Sequence, residues 1–167
     1  MKRHPAWLAA GLLLAVVLAC NLSKNRNNRN ANENDNGNRN TNRAANAPVP
    51  NRPANADVYV DQINMAKDNN GDPGEDTTVF APGDRTIHCV IMLNKAKGGT
   101  KIKFDWMAVD VAELGNSEIK SIDYTTRPFE NKIHAHLTLQ RDWPKGSYRV
   151  DVNVNGNLDK QIDFTVE

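Results

Sequence analysis

The sequence is short of almost everything that announces a catalyst. Two cysteines, Cys20 and Cys89, stand far apart, and no Cys-x-x-Cys pair occurs. There is no nucleophile elbow and no glycine-rich loop to cradle a phosphate, so two common routes to chemistry are missing. Acidic residues are scattered with no evident facing pair. No stretch repeats its apolar residues at the helical period, which excludes a helical bundle. Basic clusters are also absent from residues 57–167, where thirteen Lys and Arg stand against eighteen Asp and Glu. A nucleic-acid binder draws most of its affinity from neutralising phosphates, so that class is excluded. These absences together predict a protein that is not an enzyme.

What is present divides the 167 residues into three parts. Residues 1–19 begin with Lys2 and Arg3 and continue as a thirteen-residue apolar stretch, Trp7 to Ala19. A permanent helix needs about 20 apolar residues to cross the hydrocarbon core, so this stretch is a signal peptide in outline rather than a span. It closes on Val17-Leu18-Ala19-Cys20, which resembles the bacterial lipobox, although Leu18 is bulkier than the Ala, Ser or Thr more usual there. The resemblance implies cleavage before Cys20, whose thiolate takes the diacylglycerol. Several acyl chains on one residue hold a protein stably where one holds it marginally. Asn21 in place of Asp implies, by the same resemblance, the outer membrane, facing the periplasm or the cell surface. The competing reading is an uncleaved anchor or an ordinary secretory signal in which Cys20 is incidental.

Residues 20–56 form the second part: the cysteine, then fourteen asparagines in thirty-six positions, with six Lys or Arg and two acidic residues. Leu22 and Val49 are the only aliphatic side chains there larger than alanine. So little apolar surface cannot offset the entropy of ordering the segment, which predicts a disordered tether. A coil of that length spans about 30–35 Å on average and reaches roughly 120 Å when stretched.

From residue 57 to 167 the apolar period becomes two. Thr86 to Leu93 puts Ile87, Cys89, Ile91 and Leu93 on one face, and Lys101 to Trp106 alternates strictly. Asn131 to Gln140 sets Ile133, Ala135, Leu137 and Leu139 against His134, His136 and Thr138. Tyr148 to Val154 runs into Asn155-Gly156, and Ile162, Phe164 and Val166 follow; Asn-Gly between alternating runs predicts an antiparallel hairpin. A first strand over 57–65 slips its parity between Val60 and Ile63, predicting a bulge. Met107 to Val111 and Ile119 to Tyr124 are weaker strand candidates.

Seven or eight short strands in about 110 residues predict an all-β antiparallel sandwich. The sequence here resembles an immunoglobulin-like domain. Cys89 and Trp106 take the places of the second-strand cysteine and third-strand tryptophan, and Gly146-Ser147-Tyr148-Arg149-Val150 resembles the sixth-strand Gly-x-Tyr-x-Cys. The resemblance implies a tyrosine corner at Tyr148. Val150 stands where the second cysteine is expected, so Cys89 reads as a small buried hydrophobe without a partner. Such modules bind, space or present, which makes a protein or envelope polymer the expected partner, with the membrane reached through the lipid.

Two groups of side chains could hold a metal. His134 and His136 are two apart on one strand, about 7 Å between side chains on one face. His88 and Met92, outward on the second strand, would approach them if the second and fifth strands pair, a set suited to copper or zinc. The alternative is a set of polar residues on a solvated face. Asp68, Asn70, Asp72 and Asp76 put oxygen ligands at alternate positions, as calcium loops do, although Pro73 occupies the glycine position; a plain turn explains the same residues.

Overall fold

The computed structural model describes residues 47–167. The expected signal peptide, the stretch that resembles a lipobox and the expected tether up to residue 46 lie outside the described residues.

Among the described residues, nine strands form two sheets. They are β1 (Val60–Asn69), β2 (Asp72–Asp76), β3 (Val79–Phe80), β4 (Thr86–Leu93), β5 (Lys101–Val111), β6 (Gly115–Thr125), β7 (Lys132–Thr138), β8 (Gly146–Val154) and β9 (Asn157–Val166). The first sheet has the order β2-β1-β4-β7 and the second β3-β9-β8-β5-β6. All neighbours are antiparallel except β3 and β9, which run parallel with Val79 opposite Thr165. The chain therefore begins in one sheet and crosses at residues 77–80 to the other, fastened by Thr165 N–H donating to the Thr78 carbonyl. This is the immunoglobulin-like sandwich the strand pattern predicts.

Alternation builds the core directly. Ile87, Cys89, Ile91 and Leu93 of β4 face Ile102, Phe104, Trp106 and Ala108 of β5 across the interior, all buried. Val150 and Val152 of β8 join them, with Val150 filling the place of the missing cysteine. Aromatic rings close one end around Phe164: Tyr148 stacks on it at 5.2 Å and 14°, while Trp143, Phe80 and Trp106 meet it edge-on at 5.6–6.1 Å. Such pairs are each worth about 0.5–1.5 kcal/mol beyond the area they bury.

The local predictions bear close comparison. The slip in β1 is a bulge between Val60 and Gln62. Asn155 and Gly156 take φ of 50° and 88°, the left-handed pair that a tight hairpin requires, and β8 and β9 flank them. Tyr148 Oη donates to the Pro144 carbonyl at 2.6 Å, which is the tyrosine corner. Met107 to Val111 proves to continue β5; a second bulge between Ala108 and Asp110 brings Val111 back inward and disguises the alternation. The stretch with the plain-turn and calcium-loop readings contains a turn at Asn70 and Gly71, with φ of 57° and 95°, which joins β1 to β2 as a hairpin. Ordered contacts also begin before residue 57: Asn51 N–H donates to the Leu158 carbonyl, and the Arg52 guanidinium lies over the Tyr59 ring and 3.4 Å from Asp159.

Candidate functional sites

Two places on the sandwich carry side chains that the core does not explain. The first lies on the outer face of the β1-β4-β7 sheet. β4 and β7 pair with His88 opposite His136 and Val90 opposite His134, so the three imidazoles come together as the second-to-fifth-strand pairing requires. The His88 ring centre is 5.5 Å from that of His134 and 5.3 Å from that of His136. Met92 stands further along, opposite Lys132, and does not join them.

His88 differs from the expectation in one respect. It faces outward from the core yet is 0% exposed. Ala66 on β1 stands directly across from it, and the His88 ring lies tilted by 47° and 50° to those of His134 and His136. Pro73 of β2 borders the same recesses as Val90 and His134, so the β1–β2 hairpin leans over this face. The buried imidazole has one partner: Nε2 lies 2.8 Å from Asp68 Oδ1. A carboxylate accepts only, so Nε2 carries the proton of that bond. His88 Nδ1 has no hydrogen-bond partner, although it is buried. An unmet polar atom of that kind costs about 1–3 kcal/mol.

Electrostatics around the cluster follow from burial. The bond to His88 holds the Asp68 carboxyl below the usual carboxylate range against the opposing effect of desolvation, with a smaller contribution from the Gly71 amide. Desolvation, then the nearby His88 and His136, push the His134 imidazole below its ordinary value. Cys89, beneath on the core face, is fully buried and its thiol is pushed far up. It behaves as an apolar side chain.

The four residues of the suggested calcium loop do not converge. Asp68 is turned to His88, and Asp76 accepts from Asn64 Nδ2 at 2.6 Å further along the hairpin. Among the described residues no three His, Cys, Asp or Glu side chains already meet at ligand distance around one point.

The second place is the loop from 126 to 131, between β6 and β7, which sequence reading passed over. Phe129 is 95% exposed and holds φ of 65°. A bulky side chain in the left-handed region costs about 1–2 kcal/mol, so the loop must be held from both sides. It is: Thr126 N–H donates to the Thr100 carbonyl, and Thr126 Oγ1 donates to the Lys97 carbonyl at 2.5 Å. Glu130 closes the other side by accepting from Arg127 N–H at 2.7 Å and from Tyr124 Oη at 2.7 and 2.8 Å. Gly98 lies under Pro128, where an added Cβ would stand 3.1 Å from the proline nitrogen. The signal available in the sequence was an aromatic residue alone in a polar turn, Arg127-Pro128-Phe129-Glu130.

Beside this loop is a recess of about 360 Å³ at the chain's entry, bordered by Arg52, Asp57, Lys97 and Asp159. Its charges satisfy one another. Lys95 and Lys97 both reach Asp57 and draw its carboxyl down to about 2, while burial pushes Asp159 up.

No protein-family model matches the chain, and no curated protein matches it. Among solved structures it is similar to an immunoglobulin-like protein from Pseudomonas aeruginosa, at 16% identity and a TM-score of 0.52, over 69% of this chain and 100% of that one. That likeness agrees with the sandwich architecture derived above. A looser likeness, TM-score 0.40 and 16% identity, covers 67% of this chain and 31% of an alkylpurine DNA glycosylase from Pseudomonas fluorescens; at that score it bears on neither fold nor function.

Proposed function

We propose that this is a lipid-anchored cell-envelope protein whose immunoglobulin-like sandwich serves as a non-catalytic interaction or structural module. Cys20 is the acylated first residue of the mature chain, and the asparagine-rich segment spaces the sandwich from the outer membrane, on its periplasmic face or at the cell surface. The partner is a protein or an envelope polymer. The observation that carries the interaction reading is Phe129, almost wholly exposed on a braced loop in a backbone conformation that costs energy to hold. Stability alone gives no reason to keep a large apolar side chain in water at that cost. An aromatic anchor entering a partner's pocket does.

A photo-crosslinking residue at position 129, introduced in the native envelope, is expected to give a discrete adduct that the same residue at exposed Lys120 does not. Phe129→Ala should weaken capture of that partner by about 30-fold, the scale of an interface hot spot. Equal labelling from both positions overturns the interaction reading. For the anchor, mass spectrometry of the mature chain should find acylated Cys20, and Cys20→Ser should leave the protein uncleaved or soluble. A mature chain carrying an unmodified Cys20 overturns it.

A further inference from the structure

We infer that His88, His134 and His136 form a binding site for one borderline divalent transition-metal ion, zinc or copper, with Asp68 as the carboxylate that orients the central ligand. The site lies on the sheet face and is independent of the Phe129 loop.

His88 is fully buried, its Nε2 proton is committed to Asp68, and its Nδ1 is left without a partner. In the neutral ring that Nδ1 bears a lone pair. A metal-bound histidine has this arrangement: one nitrogen binds the ion, while the other donates to a carboxylate that fixes tautomer and ring plane and raises the ligand's basicity. A bound cation would remove the cost of the unmet Nδ1, which an empty sheet face does not.

The other two ligands stand on the neighbouring strand, His136 directly opposite His88 and His134 opposite Val90. Their ring centres lie 5.3 and 5.5 Å from that of His88, and both residues are exposed. Exposed rings turn freely about χ1 and χ2, so they can swing their nitrogens onto an ion that the buried ring holds in place. Those rotations are needed, because no three donors already converge. Three imidazoles in an otherwise open set suit zinc or copper, with solvent completing the coordination, and poorly suit the oxygen-seeking calcium or magnesium.

The test is titration of the full chain in detergent with zinc, copper(II) and cobalt(II) at neutral pH. Calorimetry gives affinity and stoichiometry, and cobalt absorption reports nitrogen ligands. One ion per chain at micromolar affinity or tighter is expected. His134→Gln and His136→Gln, both at exposed positions that leave the fold intact, should each weaken binding at least tenfold. Asp68→Asn should weaken it about 10- to 100-fold without removing a ligand. Binding weaker than millimolar overturns the site. So does binding that survives both histidine substitutions, which would place the ion elsewhere on the chain. Calcium binding in preference to zinc would overturn the assignment of ligands.

Discussion

Gly146 and Gly156 show how different two glycines in one strand pair can be. At Gly156, with φ of 88°, an added Cβ would meet nothing within 4 Å, so alanine there suffers only the left-handed conformation. Gly156→Ala should therefore cost about 1–2 kcal/mol in urea unfolding. At Gly146, with φ of 149°, the Cβ would stand 2.2 Å from the Asp110 carbonyl oxygen. Backbone on β5 cannot step aside as a side chain can, so Gly146→Ala should cost clearly more than Gly156→Ala, at least about 3 kcal/mol. Two residues on, Tyr148→Phe keeps the stacked ring and loses only the bond to Pro144, which predicts about 1 kcal/mol in the same experiment. The Gly-x-Tyr stretch was legible in the sequence as a resemblance. Its physical reasons, a carbonyl that leaves no room for a Cβ and a carbonyl that needs a donor, come from other segments and were not.

Within the elements, legibility depended on how regular the alternation is. β4 and the first half of β5 could be read because every second residue enters the core. The rest of β5 and β1 were legible only as weaker or slipped strands, since bulges reset their parity, and β2 was not legible at all, being Asp72-Pro73-Gly74-Glu75-Asp76 with no apolar face. The two-residue β3 has no pattern at all; it exists because β9 offers it an edge. The histidine cluster was half legible. Strand pairing brings its members together, as expected, but the burial of His88 depends on a hairpin that leans over the sheet. Asp68 was singled out for calcium and turned out to serve His88.

The same cluster sets a pH dependence. A histidine whose basicity is lowered on folding binds its proton more readily in the unfolded chain. Stability is therefore complete above the ordinary value of 6.5 and falls as the pH drops through the lower, folded value. His88, His136 and Lys132 disfavour the charge on His134, while Asp72 favours it. Unfolding at a series of pH values should show stability decreasing below pH 6.5, with a shallower slope in His134→Gln. Asp68 and Asp57 act in the same direction but in a later window, below the ordinary carboxylate value of 3.8, because their lowered values are features of the folded chain.

For the molecule as a whole, contacts with the sandwich begin earlier in the chain than composition suggests. Asparagine, arginine and proline dominate through residue 56, yet Arg52 partners Asp159, whose buried carboxylate also accepts from Val60 N–H at 3.3 Å. Composition reports the average character of a segment and cannot register one arginine placed to meet one buried acid. Arg52→Ala should leave that acid without its cation, and hydrogen exchange at the Val60 amide should speed up relative to amides in the centre of β4.

The entry of the chain and the Phe129 loop lie at the same end of the sandwich. Asp57 is tied to Lys95 and Lys97, Gly98 of the same loop lies under Pro128, and Thr126 is bonded to Thr100. If the chain is anchored through its N-terminus and held by a partner at Phe129, tension between the two runs along this one edge, through the loops of residues 94–100 and 126–131. The covalent chain from Asp57 also leads straight into β1, so the first sheet shares that load through its pairing with β4, and the exposed ion pairs at Asp57 are the first links to yield.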